Sequence, residues 1–130
     1  MKKQTTVLLA DDEPLIIDLL SFELGQAGFR VLQAKNGKDA LDLCIRDDID
    51  LLISDINMPD TGGFKLVKKL RASDKGQIPI LFITGFAAHE LIEISDLGAV
   101  EVLSKPFEPA TLINKIKQIL KNQRENPDDY

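Results

Sequence analysis

Four short apolar runs in this chain each deliver a polar side chain at the point where the run stops. Asp11 and Asp12, followed by Glu13, close "VLLA"; Asp55 closes "LLIS"; Thr84 ends "ILFIT"; and Lys105 follows "EVLS". Carboxylates gathered within a few ångströms repel one another, and the proton affinity of at least one rises. A hard divalent cation relieves that repulsion. Magnesium suits an incomplete set of oxygen ligands whose octahedron water completes, with manganese as the substitute. Lys105 could set its ammonium against the same cluster. All of this requires that the four runs end side by side.

The elements that carry these residues follow from hydrophobic patterning. Short apolar runs lie at Val7–Ala10, Phe29–Ala34, Leu51–Ser54, Ile80–Thr84 and Glu101–Ser104. Several are continuously apolar rather than alternating, which predicts strands buried on both faces of a parallel sheet. Between them lie stretches with helical periodicity, about Pro14–Gln26, Gly37–Asp47, Gly63–Ala72, Ala87–Leu97 and Pro109–Lys121. Gly25, Gly28 and Gly98 punctuate helix ends. Strand–helix alternation of this kind predicts an α/β fold: a five-stranded parallel sheet, order 2-1-3-4-5, with five helices on its two faces, doubly wound and flavodoxin-like. Strands 1 and 3 are then neighbours, and their carboxyl ends bring Asp11, Asp12 and Asp55 to one concavity.

Composition limits what else the chain could be. Its 130 residues fit one domain, with residues 1–121 as the domain and 122–130 as a polar tail or the start of a linker. Apolar residues make up 44% and charged residues 28%, which disfavours wholesale disorder and a membrane protein. A net charge of −5 argues against unaided binding to nucleic acid. The single cysteine, Cys44, excludes an internal disulfide and is expected to be a small buried apolar residue. The opening "MKKQTTVLLADDEP" meets two acids after four apolar residues, so it is not expected to act as a secretory signal, and a cytoplasmic location is expected.

Each site residue has an ordinary explanation. Asp11 and Asp12 could cap the helix that Pro14 opens. Asp55 could be a turn residue ahead of Pro59, Thr84 could simply suit a strand end, and Lys105 could be a solvated charge. Taken one at a time these suffice. They do not explain why acids, a hydroxyl and a lysine fall at the carboxyl ends of different strands.

The ordered set "LLADDEP", "NGKDAL", "LLISDINMPDTGGFKLV", "ILFITG" and "LSKPF" resembles the receiver domain of two-component response regulators, from Val7 to about Leu120. The resemblance implies that Asp55 is a phosphoryl acceptor. It implies that Asp11 and Asp12 hold magnesium together with Asp55 and the backbone carbonyl of Asn57. It also implies that Thr84 is the switch hydroxyl, that Lys105 pairs with the phosphoryl group, and that Pro106 follows a cis peptide bond. The donor so implied is a phosphohistidine on a histidine kinase or a histidine phosphotransfer protein. Such a domain catalyses its own modification and slow dephosphorylation without being a conventional enzyme, and signals to a downstream protein or effector domain by phosphorylation-dependent contact. No membrane or direct nucleic-acid partner is expected.

Two features are specific to this chain. Val102 stands where many receivers carry an aromatic residue that swings inward, and a short β-branched side chain cannot repeat that movement. Signalling is then expected to run through the segment after Thr84, with Phe86 contributing, while His89 is expected at the surface. The first helix also has more apolar residues than one buried stripe needs. Ile16, Leu20, Leu24 and Ala27 supply an inner stripe, and Leu15, Leu19 and Phe22 form a second, expected to dock on the donor's helical bundle. Three alternatives are weaker. A phosphatase with an aspartate nucleophile after strand 1 would carry a second acid two residues beyond it; here the best nucleophile follows strand 3, and Asn57 stands where that acid would be. A flavin-type binder would not place "DDE" at its phosphate loop. A phosphorylation-independent interaction module would have no use for the full set of acids, hydroxyl and lysine.

Overall fold

The apolar runs form strands and the amphipathic stretches form helices, in strict alternation over most of the chain. The structure is a computed structural model describing residues 4–85 and 100–125. In order, the elements are β1 (Thr6–Ala10), α1 (Pro14–Gln26), β2 (Arg30–Ala34), α2 (Gly37–Arg46), β3 (Leu51–Asp55), α3 (Gly63–Arg71), β4 (Ile80–Thr84), β5 (Val100–Ser104) and α4 (Pro109–Glu125). All five strands pair in parallel, in the order β2-β1-β3-β4-β5, as the patterning predicts. The expected helix at Ala87–Leu97, with Gly98, Phe86 and His89, lies outside the described residues. Four helices therefore surround the sheet among the described residues. α4 continues to Glu125, so the first part of the segment expected to be a tail is helical.

Strand side chains alternate between two faces, and each face builds its own core. Leu8, Leu52, Ile80 and Phe82 point to one side, where α2 adds Ala40 and Cys44 and α3 adds Leu66, Val67 and Leu70. Val7, Leu9, Leu51, Ile53, Leu81 and Ile83 point to the other, where α1 adds Ile17, Leu20 and Leu24 and α4 adds Leu112, Ile116 and Ile119. Cys44 is fully buried, and burial pushes its thiol pKa up to about 12, so it behaves as an inert apolar residue.

The inner stripe of α1 needs one correction. Ile17 rather than Ile16 is buried with Leu20 and Leu24, and Ile16 and Ala27 are only half-buried. "PLIIDLL" offers apolar side chains at consecutive positions, so its spacing suits either rotation of the helix. Leu15, Leu19 and Phe22 do form an outward stripe, at 82%, 52% and 62% exposure.

Local chemistry fixes loops at both edges of the sheet. Pro14 begins α1, and α2 is capped by Asn36, whose side chain accepts from the Asp39 N–H at 2.8 Å. After α1 the chain turns at Gly28, whose φ of 97° is a conformation that glycine adopts without strain.

Candidate functional site

Strand register brings the acids together. Ala10 pairs with Ser54 across β1 and β3, so Asp11 and Asp55, one residue further on each strand, leave the sheet side by side. One carboxylate oxygen from each of Asp11, Asp12 and Asp55 lies within 4.8 Å of the others. The three differ in environment. Asp12 is exposed and Asp55 half-buried, whereas Asp11 is only 1% exposed.

The two oxygens of Asp11 are used differently. Its Oδ1 accepts from the Glu13 N–H at 2.9 Å, which holds the turn into α1. Its Oδ2 is buried with no hydrogen-bond partner. Burial raises its carboxyl pKa above the ordinary range; the bond from Glu13 opposes that rise and the charge of Asp55 adds to it. A buried oxygen without a partner, facing two further carboxylates, fits a hard divalent cation, whose coordination would satisfy it.

This arrangement yields a prediction. Because the folded-state pKa of Asp11 is raised, the ionised side chain costs stability at neutral pH, and the cost disappears as pH falls through that raised value. Asp11→Asn keeps the acceptor for Glu13 and removes the charge. Without metal it is expected to melt a few degrees above the wild type near pH 7. Added Mg2+ is expected to raise the wild-type midpoint and leave the variant's unchanged. Calorimetry with EDTA and with Mg2+ checks both parts, and a variant stabilised by Mg2+ as strongly as the wild type would remove Asp11 from the metal set.

Lys105 reaches the cluster from β5. Its backbone N–H donates to the Thr84 carbonyl at 2.8 Å, which ties together the ends of β4 and β5. Its ammonium lies 3.6 Å from Asp55 Oδ2 and 3.8 Å from Glu13 Oε1. The Lys105–Pro106 peptide bond is cis. Thr84 is buried at the same edge, in register with Ser104. Asn57 follows Asp55 in the loop, and its N–H faces Asp55 Oδ1 at 3.4 Å. Val102 is half-buried against the core on the α2–α3 side.

The backbone around Asp55 is confined by glycine. A Cβ on Gly63 would sit 2.8 Å from the Asp55 carbonyl oxygen and 2.9 Å from Ile56 Cα, so only glycine lets α3 begin this close to the strand end. Asp60, in the same loop, has a φ of 68°, a region aspartate tolerates better than most side chains.

The structure thus gathers Asp11, Asp12, Asp55, Asn57, Thr84 and Lys105 at one sheet edge. Spacing alone did not identify Glu13 as a partner of Lys105. The available signal was a third acid directly after the pair, which also suits the start of a helix. Leu15, Leu19 and Phe22 lie along the outward side of α1, which starts at this edge. Beside them an apolar cleft of about 240 Å3 is lined by Ile16, Leu19, Leu20, Lys105, Pro106, Phe107 and Pro109. Among the described residues no helix is long and apolar enough to cross a membrane.

Known proteins share this architecture. The chain is 33% identical over 117 residues to response regulator SaeR of Staphylococcus aureus, an alignment covering 89% of this chain and 50% of SaeR. It therefore spans about half the length of the curated relatives it matches. The fold superposes on the chemotaxis response regulator CheY4 of Vibrio cholerae with a TM-score of 0.85 at 34% identity, covering 90% of this chain and 99% of that one. It also superposes on a CheY-like receiver domain protein of Methanospirillum hungatei with a TM-score of 0.89 at 26% identity, covering 95% and 99%. The response regulator receiver domain model matches residues 7–117. With sequence and fold in agreement, this chain belongs to the response regulator receiver domain family.

Proposed function

We propose that this receiver accepts a phosphoryl group on Asp55 from a phosphohistidine of a histidine kinase or histidine phosphotransfer protein, in a magnesium-dependent reaction in the cytoplasm. The observation that carries the reading is the meeting of three carboxylates within 4.8 Å, with the Lys105 ammonium 3.6 Å from the half-buried one. An Asp55 oxygen attacks phosphorus in line as the phosphorus–nitrogen bond of the donor breaks. The imidazole departs with the bonding pair and takes a proton from solvent, and Asp55 becomes an acyl phosphate. Lys105 balances charge on the phosphoryl oxygens, and the Thr84 hydroxyl turns toward them as the switch. Asp11, Asp12, Asp55 and the Asn57 carbonyl would hold Mg2+ (or Mn2+), which when bound supplies positive charge against those oxygens. Water later attacks phosphorus, releases phosphate and restores the carboxylate. The output is a phosphorylation-dependent contact with a downstream protein or effector domain.

The outward stripe of α1 supports a site for the donor. Leu15, Leu19 and Phe22 are exposed, and Leu19 also lines the apolar cleft that Lys105 borders. A helical bundle seated there would bring its histidine to Asp55. One experiment tests acceptor and docking together. Wild-type protein should be labelled by acetyl phosphate in Mg2+ and not in EDTA. Phe22→Ala should keep that labelling while transfer from a phosphorylated histidine kinase falls roughly tenfold, as for loss of an aromatic anchor. Equal loss with both donors would refute the docking face, and no labelling of the wild type by either donor would refute the acceptor.

A further inference from the structure

Two carboxylates share the ammonium of Lys105: Asp55 Oδ2 at 3.6 Å and Glu13 Oε1 at 3.8 Å. Glu13 is fastened to the acid cluster by its main chain, whose N–H donates to Asp11 Oδ1. It is also the N-cap residue of α1, with an extended backbone (φ −98°, ψ 111°), yet its side chain caps no helix N–H. An N-cap side chain gains most by accepting from the first turn. Glu13 is instead turned toward Lys105. Its carboxylate is largely exposed, so the pair adds little to stability. As a competitor for a single ammonium it matters more, because it lies nearly as close to the Lys105 ammonium as Asp55 does and its main chain is anchored to Asp11.

We infer that Glu13 is a positioning residue that holds Lys105 while Asp55 is unmodified and has to release it when a phosphoryl group arrives; this rests on Asp55 being the acceptor. A phosphoryl group carries close to two negative charges and has more oxygens to offer the ammonium than a carboxylate, so it wins the competition. It wins at a cost, because Lys105 leaves one partner and the abandoned Glu13 charge stays nearby. Both effects weaken the grip on the phosphoryl group. Glu13 therefore sets how firmly the site holds its modification, without touching the reacting atoms.

Beryllofluoride, a phosphoryl analogue that binds a carboxylate without covalent transfer, provides the readout. It is titrated into the full chain in saturating Mg2+ and followed by backbone amide shifts. Glu13→Gln is expected to bind it roughly threefold more tightly than the wild type, within the range that one exposed ion pair supports. Glu13→Asp, which keeps the charge, should stay near the wild-type value. In a Lys105→Met background the Glu13→Gln substitution should change nothing, since the ammonium through which it acts is gone. A purely structural role for Glu13 would not vanish in that background.

Unchanged or weaker binding in Glu13→Gln would overturn the inference, as would tightening that persists without Lys105. A separate Mg2+ titration without the analogue guards the assignment. Affinity equal to wild type is expected for Glu13→Gln, and a loss there would make Glu13 part of the metal shell instead. Failure of the acceptor assignment has its own signature, equal analogue binding by the wild type and Asp55→Asn, and that result overturns both readings.

Discussion

Asp55→Asn is expected to lose all labelling by acetyl phosphate and by a cognate kinase, with intact-mass spectrometry as the measurement. The carboxamide has the size of the carboxylate, and its oxygen can still accept the Asn57 N–H that faces Oδ1. It lacks the anionic oxygen that attacks phosphorus, and loss of a nucleophile costs at least about a thousandfold in rate. Folding should survive, because Asp55 is half-buried and the substitution removes a negative charge from beside Asp11 and Asp12. Lys105 would keep Glu13 as an ionic partner. A native circular dichroism spectrum combined with no mass increase is the expected pair of results. Full phosphorylation of the variant would place the acceptor elsewhere.

Gly37→Ala should have the largest effect on stability of any glycine-to-alanine substitution among the described residues. Gly37 opens α2 and is buried. A Cβ there would overlap the Thr61 carbonyl oxygen and come within 2.7 Å of the Thr61 Cβ. Thr61 is itself buried, in the loop between β3 and α3, so the obstruction is mostly backbone that cannot turn aside. Overpacking of that severity costs about 3 kcal/mol, a fall in melting temperature on the order of 10 °C for a domain of this size. Gly25→Ala is the matched control. That position lies within α1 with nothing within 4 Å of the added carbon, and alanine should raise stability by about 1 kcal/mol. Thermal denaturation of the two variants separates close approach from helix propensity; equal midpoints would mean that the Thr61 loop yields.

The two glycines also mark the boundary of what spacing reveals. Strand order and the meeting of Asp11, Asp12 and Asp55 were legible because continuous apolar runs identify strands buried on both faces, and the crossover rules for parallel sheets then leave few arrangements. Lys105 and Thr84 were legible for the same reason, each lying at the end of such a run. The closeness of Gly37 to Thr61 was not. It joins the turn after β2 to the loop after β3, and contacts between distant loops leave no periodic trace in the chain. Glu13 was obscured by its position, since an acid at a helix start is favourable whatever else it does. The choice between Ile16 and Ile17 turned on a few tens of degrees of helix rotation, which packing against α4 and the sheet decides and consecutive apolar residues do not.

The sheet that separates the interior into two cores also separates what the molecule is free to change. α2 and α3 rest on one core, and that side presses Gly63 against the Asp55 carbonyl and seats the Thr61 loop. α1 and α4 rest on the other, and that side bears the outward apolar stripe and the cleft beside Lys105. A lineage can therefore repack the layer behind Asp55 while the outward stripe of α1 stays as it was. The reverse also holds. A gene duplicate could change Leu15, Leu19 and Phe22 and inherit the carboxylate edge intact.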